Sequence, residues 1–222
     1  MPWKLAANVH WCNCNGRAVF LDVRADRYFC LPLAINTAFL NLVANTMQAG
    51  DHEQLAPLRE RGLLVDAPDG EPMHLPPHLD APQSDFARDA SSRAGLLGIT
   101  RSIIAELRTA YLLRRKTFAH VVERARTVRR SPGLPQGVDR RSIERLVAAA
   151  NAAAFFLRSH DRCLVRGLAF HACCRRRGVE AKLVLGVVAH PFTAHCWVQF
   201  GSRVLIGGYE QARLYTPILV LE

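Results

Sequence analysis

Apolar and polar positions divide the chain into a strand-like front, a helical middle and a mixed end. Residues 18–23 and 28–31 are short runs of apolar, aromatic and β-branched residues, with the polar Arg24-Ala25-Asp26-Arg27 between them. That pattern predicts a hairpin, with residues 9–11 as a strand ahead of it and Pro32 ending it. Helical spacing follows. Ile35, Ala38, Phe39, Leu42 and Val43 recur at i, i+3, i+4, i+7 and i+8, which is one apolar helix face. A second short helical stretch closes at Gly50. A third runs over residues 53–61, with Pro57 placed in its first turn and Gly62 as its C-terminal cap. Residues 63–65 form a short last extension.

The pattern then breaks. Pro68, Gly70, Pro72, Pro76, Pro77 and Pro82 interrupt residues 66–92, which reads as a linker holding the domain boundary. Residues 96–130 are helical and basic, 131–138 break the helix, and 139–158 form another helix capped by Asp139. Residues 162–177 are a further helix, stopped by Gly178. Strands follow at 181–188, 196–200 and 203–206, the last two joined by a Gly201-Ser202 turn. The division is therefore residues 1–66, a linker over 67–95, and a second domain over 96–222. The class is α+β.

Composition narrows the possibilities. Half of the 222 residues are hydrophobic, which is ordinary for a globular protein. No apolar run reaches the roughly 18 residues needed to span a membrane, and the first residues lack a signal-peptide pattern, so a cytoplasmic location is expected. Seven cysteines without an export signal predict reduced thiols. The net charge of +10 attracts polyanions, but Arg is spread over several helices and no helix gathers Arg and Lys as a DNA-recognition helix does. Nucleic acid is not an expected partner. His10, Cys12 and Cys14 lack a second ligand pair, whereas structural zinc wants four ligands, so no metal is assigned. No phosphate-binding glycine loop occurs, and no cofactor is assigned either.

Candidate chemistry lies near the end of the chain. Cys163 opens the 162–177 helix just after Ser159-His160-Asp161, and Ser159 or Asp161 is a candidate cap. A helix N-terminus carries partial positive charge and unpaired N–H groups. It favours a thiolate, and the Cys163 amide is a natural oxyanion donor. His195 begins a strand in Ala194-His195-Cys196-Trp197-Val198. A helix-borne Cys facing a strand-borne His is a nucleophile–base arrangement. By spacing alone, a buried structural Cys and an ordinary His are the commoner explanation.

Resemblance changes that balance. Cys163-Leu164-Val165-Arg166-Gly167-Leu168, Arg175-Arg176-Arg177-Gly178-Val179, Leu183-Val184-Leu185-Gly186-Val187, Pro191-Phe192-Thr193-Ala194-His195-Cys196-Trp197-Val198 and the tail Tyr215-Thr216-Pro217-Ile218-Leu219 together resemble the B protein of lasso-peptide biosynthesis. The resemblance covers residues 139–222. It implies a transglutaminase-like (papain-related) fold and a leader-cleaving cysteine peptidase, with Cys163 as nucleophile and His195 as base. It also implies two partners: the leader of a precursor peptide, and an ATP-dependent, asparagine-synthetase-like cyclase that closes the macrolactam. The sequence departs from the family at one point. The Asp that commonly orients the histidine from the next strand is missing, and a direct hairpin register sets Gly207 and Gly208 opposite Cys196 and His195. A backbone carbonyl near Gly207, or the carboxylate of Glu210, is the expected substitute. Leu164, Leu168 and Ala172 are expected to pack the helix on the sheet, with Cys173, Cys174 and Cys196 structural. An acyltransferase on the same fold and a leader-binding scaffold without activity are the alternatives.

Residues 19–31, with the helices after them and Arg61-Gly62-Leu63-Leu64, resemble the winged-helix-like precursor-recognition element of ribosomal peptide pathways. This second resemblance implies leader binding as an added strand. The implied contacts are Tyr28, Phe29, Cys30 and Leu31 on the strand, and Leu55, Leu58 and Arg59 on the third helix.

Overall fold

A computed structural model describes residues 3–67, 79–86, 93–128, 139–157 and 162–222. The chain divides into two compact units. One holds residues 1–78, 187–193 and 216–219, and the other holds 79–186, 194–215 and 220–222.

In the first unit, β1 (Trp3–Leu5) is followed by β2 (Val9–Cys14), β3 (Arg17–Asp22) and β4 (Arg27–Cys30), then α1 (Leu33–Ala44), α2 (Asp51–Glu60) and β5 (Leu64–Asp66). Strands β2, β3 and β4 form an antiparallel sheet in that order. Asn15 and Gly16 make the two-residue turn between β2 and β3, both with positive φ (52° and 83°), as a right-twisted hairpin requires. The wider β3–β4 turn is pinned by the Asp22 carboxylate, which accepts from the amides of Arg24 and Ala25 at 3.0 Å. Helix α1 docks through aromatic edges, with the Phe39 ring 4.9 Å from Phe20 and 5.0 Å from Trp11. Buried Asn36 accepts from the Ala18 amide and donates to the Gly16 carbonyl, locking α1 to the hairpin. Antiparallel β1 and β5 complete the unit.

Two expectations for this region differ from the structure. The stretch before Gly50 is not a helix, because Asn45 ends α1 in the left-handed conformation. Two helices therefore follow the sheet among the described residues, and strands make up most of the unit's start; a three-helix winged-helix arrangement is not seen there. Helix α2 also starts at Asp51, which places Pro57 inside it rather than in its first turn.

Among the described residues the second unit holds four longer helices: α3 (Leu96–Arg115), α4 (Phe118–Arg126), α5 (Arg140–Phe156) and α6 (Cys163–Arg176). The helical run expected over 96–130 is broken at Thr117, whose side chain accepts from the His120 amide and caps α4. Asp139 caps α5 through the Ser142 amide. Along the chain then come β7 (Lys182–Val188), β8 (Thr193–Phe200), β9 (Arg203–Ile206), α7 (Tyr209–Ala212) and β10 (Thr216–Leu221), of which residues 187–193 and 216–219 are counted with the first unit. Short β6 (Ser84–Asp85), inside the stretch read as linker, pairs parallel with β9. The sheet order is β10-β7-β8-β9-β6. Its apolar residues, among them Leu183, Val184, Trp197, Val198 and Val204, are fully buried. Among the described residues no helix is long and apolar enough to cross a membrane.

Candidate active site

Cys163 is the first residue of α6. Arg162 sits at the cap position with no side-chain cap bond, and the first backbone bond of the helix runs from the Arg166 amide to the Arg162 carbonyl at 2.9 Å. The proposed caps Ser159 and Asp161 lie outside the described residues. Among the described residues no side chain caps the amides of the first turn, and amides at a helix start, that of Cys163 included, are the donors an oxyanion can use. Cys163 itself is half-buried, and Arg162 before it and Arg166 one turn on are charged. Glu106 is buried and electrostatically coupled to Arg166 and Arg162. Burial pushes the Glu106 carboxyl up, and the two guanidiniums partly offset that.

Contact between α6 and β8 is made possible by a glycine. A β-carbon on Gly167 would lie 2.6 Å from Cys196 Sγ and 2.9 Å from Leu183 Cδ1, so only glycine lets the helix approach this closely. Gly167 stands one turn after Cys163 and Cys196 one residue after His195. The same closeness shows in Cys196, whose thiol is pushed well up by complete burial and further by the neighbouring Cys163. Nucleophile and base candidates therefore lie at the same helix–strand junction.

His195 is half-buried, and its Nε2 lies 2.8 Å from the Gly207 carbonyl oxygen. A carbonyl only accepts, so Nε2 carries the proton and donates. In the neutral ring Nδ1 is then the basic nitrogen. Burial lowers the His195 pKa, and the Gly207 bond works in the opposite direction. Tyr215 and Trp197 flank the ring, with centroids at 5.2 Å and 6.2 Å. Trp197 is fixed in turn: its indole N–H donates to Gln199 Oε1 at 2.7 Å, and the Gln199 amide donates to the carbonyls of Asp80 and Gly201. Gly186 leaves the space that the Trp197 ring fills, since a β-carbon there would come within 2.6 Å of it.

The register explains how Gly207 reaches the imidazole. Phe200 pairs with Arg203 and Gln199 with Val204, but Val198 pairs with Ile206. A bulge has absorbed one residue, so the direct register expected for this hairpin is corrected by one position, and Gly207, just past β9, comes up against Trp197 rather than Cys196. Gly207 has φ +106°, and a β-carbon there would fall 2.5 Å from Trp197 Cβ. Glu210, the other expected orienter, lies in the first turn of α7 and pairs with Arg213 at 3.2 Å, with both side chains exposed. The structure gives the imidazole's partner to the Gly207 carbonyl and not to Glu210.

The expected leader contacts scatter. Leu31, Leu55 and Leu58 are buried in the first unit's core, so their side chains have no surface to offer, and that reading of them is corrected. Phe29 turns inward and stacks on Phe20 at 5.1 Å. Arg59 lies over the Trp3 ring and within 3.6 Å of Asp66. Tyr28 is half-buried and Cys30 exposed on β4, the last strand of its sheet. Cys12 and Cys14, weighed above as ligands, lie buried with sulfurs 3.7 Å apart, and among the described residues no cluster of three or more metal-binding side chains occurs. On α6, Leu168 and Cys174 are buried, while Leu164, Ala172 and Cys173 are half-buried. Burial raises both the Cys173 and Cys174 thiols, consistent with inert, structural sulfurs.

Sequence reasoning missed Gln199, Glu106 and the role of Trp197. The Gly207-Gly208 pair directly after a strand was the one available signal, because paired glycines there mark a backbone approach that no side chain permits.

Comparison with known proteins agrees with this geometry. Residues 105–220, more than half of the chain, match the family described as the transglutaminase-like superfamily. The matched span covers Cys163, His195 and Gly207. No curated protein and no solved structure matches the chain.

Proposed function

The chain belongs to the transglutaminase-like superfamily, and from that premise we propose that it is a cysteine peptidase that removes the leader of a ribosomal precursor peptide, as in lasso-peptide maturation. The observation that supports this most directly is the 2.8 Å contact between His195 Nε2 and the Gly207 carbonyl. It fixes the imidazole with Nδ1 as acceptor, at the same helix–strand junction as a cysteine that opens its helix.

Chemistry follows from the atoms. Nδ1 of His195 accepts the Cys163 thiol proton, and the sulfur adds to the scissile carbonyl carbon. The carbonyl oxygen takes the negative charge and is met by the Cys163 amide. Collapse breaks the C–N bond while the imidazolium gives its proton to the leaving amine. Water, deprotonated by the same Nδ1, then resolves the thioester to a carboxylic acid and the free thiol. The first unit supplies recognition: the leader adds beside β4, with Tyr28 and Cys30 as the strand residues not committed to the core. An ATP-dependent cyclase takes the product.

The test is incubation of the protein and its Cys163→Ala variant with the precursor peptide encoded beside it, read by mass. Release of leader with an added water by the wild type only is the expected result. A product carrying an amine in place of water identifies an acyltransferase on the same fold. Intact precursor with measurable leader binding shows a scaffold and refutes the peptidase.

A further inference from the structure

A cavity of about 1050 Å³ opens on the second unit among α3, α4, α5 and α6. None of the chemistry above uses it. Its rim is arginine from every one of those helices: Arg101, Arg108, Arg124, Arg145, Arg176, and Arg177 just past the end of α6. Among the described lining residues Asp139 is the one acid; it caps α5 and lies within electrostatic reach of Arg145 alone among the six. Among the described residues, none of the ion pairs involves these six arginines.

The floor is apolar. Leu97, Ile104, Leu112, Val121, Leu146 and Leu168 line it, and Leu97 and Ile104 remain 64% and 54% exposed. Leaving large aliphatic side chains open beside six guanidiniums that share one carboxylate is unfavourable twice, through hydration of the apolar groups and through mutual repulsion of the charges. A ligand that relieves both carries apolar groups and several negative charges.

Dimensions select among such ligands. The lining runs along α3 from Gly95 to Leu112, roughly 25 Å at 1.5 Å per residue. Arg101 and Arg108 stand about two turns apart on α3, and the other four arginines come from three different elements. A single anionic head on an acyl chain meets only one part of this rim. An extended peptide of about eight residues matches the length and brings several carboxylates to several guanidiniums, each pair planar and bidentate-capable. We infer that this groove is a docking site for an acidic, amphipathic peptide segment. The site is a second peptide-binding surface, carried by the unit that holds Cys163, and it does not depend on the peptidase reading.

The probe is a fluorescein-labelled peptide of about ten residues that alternates Glu and Leu, titrated with the full chain and read by anisotropy. Binding is expected, and it weakens as salt rises. Arg108→Glu with Arg145→Glu is expected to weaken it about tenfold or more. Arg61→Glu with Arg114→Glu makes the same change in net charge away from the groove and leaves binding in place. Replacing the leucines of the peptide by serine abolishes binding, because the floor is then unused. Cys163→Ala binds like the wild type, which separates this site from the proposed catalysis. Arg108→Gln, a milder change at an exposed position, weakens binding in the same direction and guards against misfolding of the reversed variant. Equal weakening by the two double variants would mean that general charge alone holds the peptide and would overturn the inference. Tight binding of the serine peptide, or displacement of the probe by palmitate or a short RNA duplex at lower concentration than by unlabelled peptide, would overturn it as well.

Discussion

Substitution of Gly207 by Ala tests the arrangement at the site most directly. At φ +106° an L-residue is strained, by about 1–3 kcal/mol. The added β-carbon also meets Trp197 Cβ at 2.5 Å and Trp197 Cα at 2.9 Å. The latter is backbone, so no rotamer change relieves it and the β9 end must move off β8. That movement takes the Gly207 carbonyl away from His195 Nε2. A hydrogen bond to the imidazolium that forms during thiol activation contributes about 1.5–3 kcal/mol, and its loss lowers kcat/KM about 10- to 150-fold. The assay is cleavage of the precursor peptide across pH, with a urea melt on the same samples. The pH profile carries the diagnosis. The Gly207 bond favours the protonated imidazole and so raises the His195 pKa, against the burial that lowers it. Removing the bond lowers the folded pKa further and moves the acid limb of kcat/KM to lower pH. Gly208→Ala is the control: it is strained (φ +78°) but meets nothing within 4 Å, so it costs stability and leaves the limb in place. A Gly207→Ala enzyme within about twofold of wild type and with an unmoved acid limb would refute the reasoning.

Three further outcomes are expected. His171 is fully buried, and its pKa is pushed down to about 4, first by burial and then by the charge of Arg175. The unfolded chain therefore takes up this proton first as pH falls, and stability is lost between about pH 6.5 and 4, by about 3 kcal/mol in full; urea melts on the protein and His171→Leu would show the slope in the first and its reduction in the second. Gly167→Ala overpacks α6 on Cys196 and Leu183, and despite its better helix propensity it should cost about 1–2 kcal/mol. Cys196→Ala removes the nearer sulfur and should return part of that loss, as a double-mutant cycle of melts will read. Gln199→Leu leaves the Trp197 indole N–H and the carbonyls of Asp80 and Gly201 without their partner, and should destabilise by about 2–4 kcal/mol with a fall in cleavage rate; an unchanged melt would show that water replaces the amide.

What could be read from the sequence was set by how local the signal is. Helix α1 announced itself through the spacing of Ala38, Phe39 and Leu42, all of which are buried, because a helix face is written in one short window. The strands and the Gly201-Ser202 turn near His195 were legible for the same reason. Burial against a distant partner was not. Leu55 and Leu58 share an apolar spacing that suits a binding face and a core face equally, and the core of the first unit takes both. Short β6 carries two polar residues, and its pairing with β9 spans more than a hundred residues of chain. Nothing local marks it.

The bulge in β8–β9 had the largest consequence for the site. Counting back from Gly201-Ser202 gives one register, and a single absorbed residue gives another, with every facing side chain changed. In the observed register Gly207 comes up against Trp197, two residues from His195, and its carbonyl reaches the imidazole without any side chain. The missing Asp is then no gap in the site. It does alter the electrostatics. A carboxylate would stabilise an imidazolium by charge, whereas a carbonyl offers a dipole only. Burial is the leading influence on His195, and no carboxylate among the described residues opposes it. The neutral, Nε2-protonated ring is favoured as the resting form. Such a site suits a base that waits uncharged and takes its proton as the sulfur attacks, rather than one that stores a preformed ion pair. The lowered acid limb expected of the wild-type protein is the measurable consequence of burial that the Gly207 carbonyl opposes only in part.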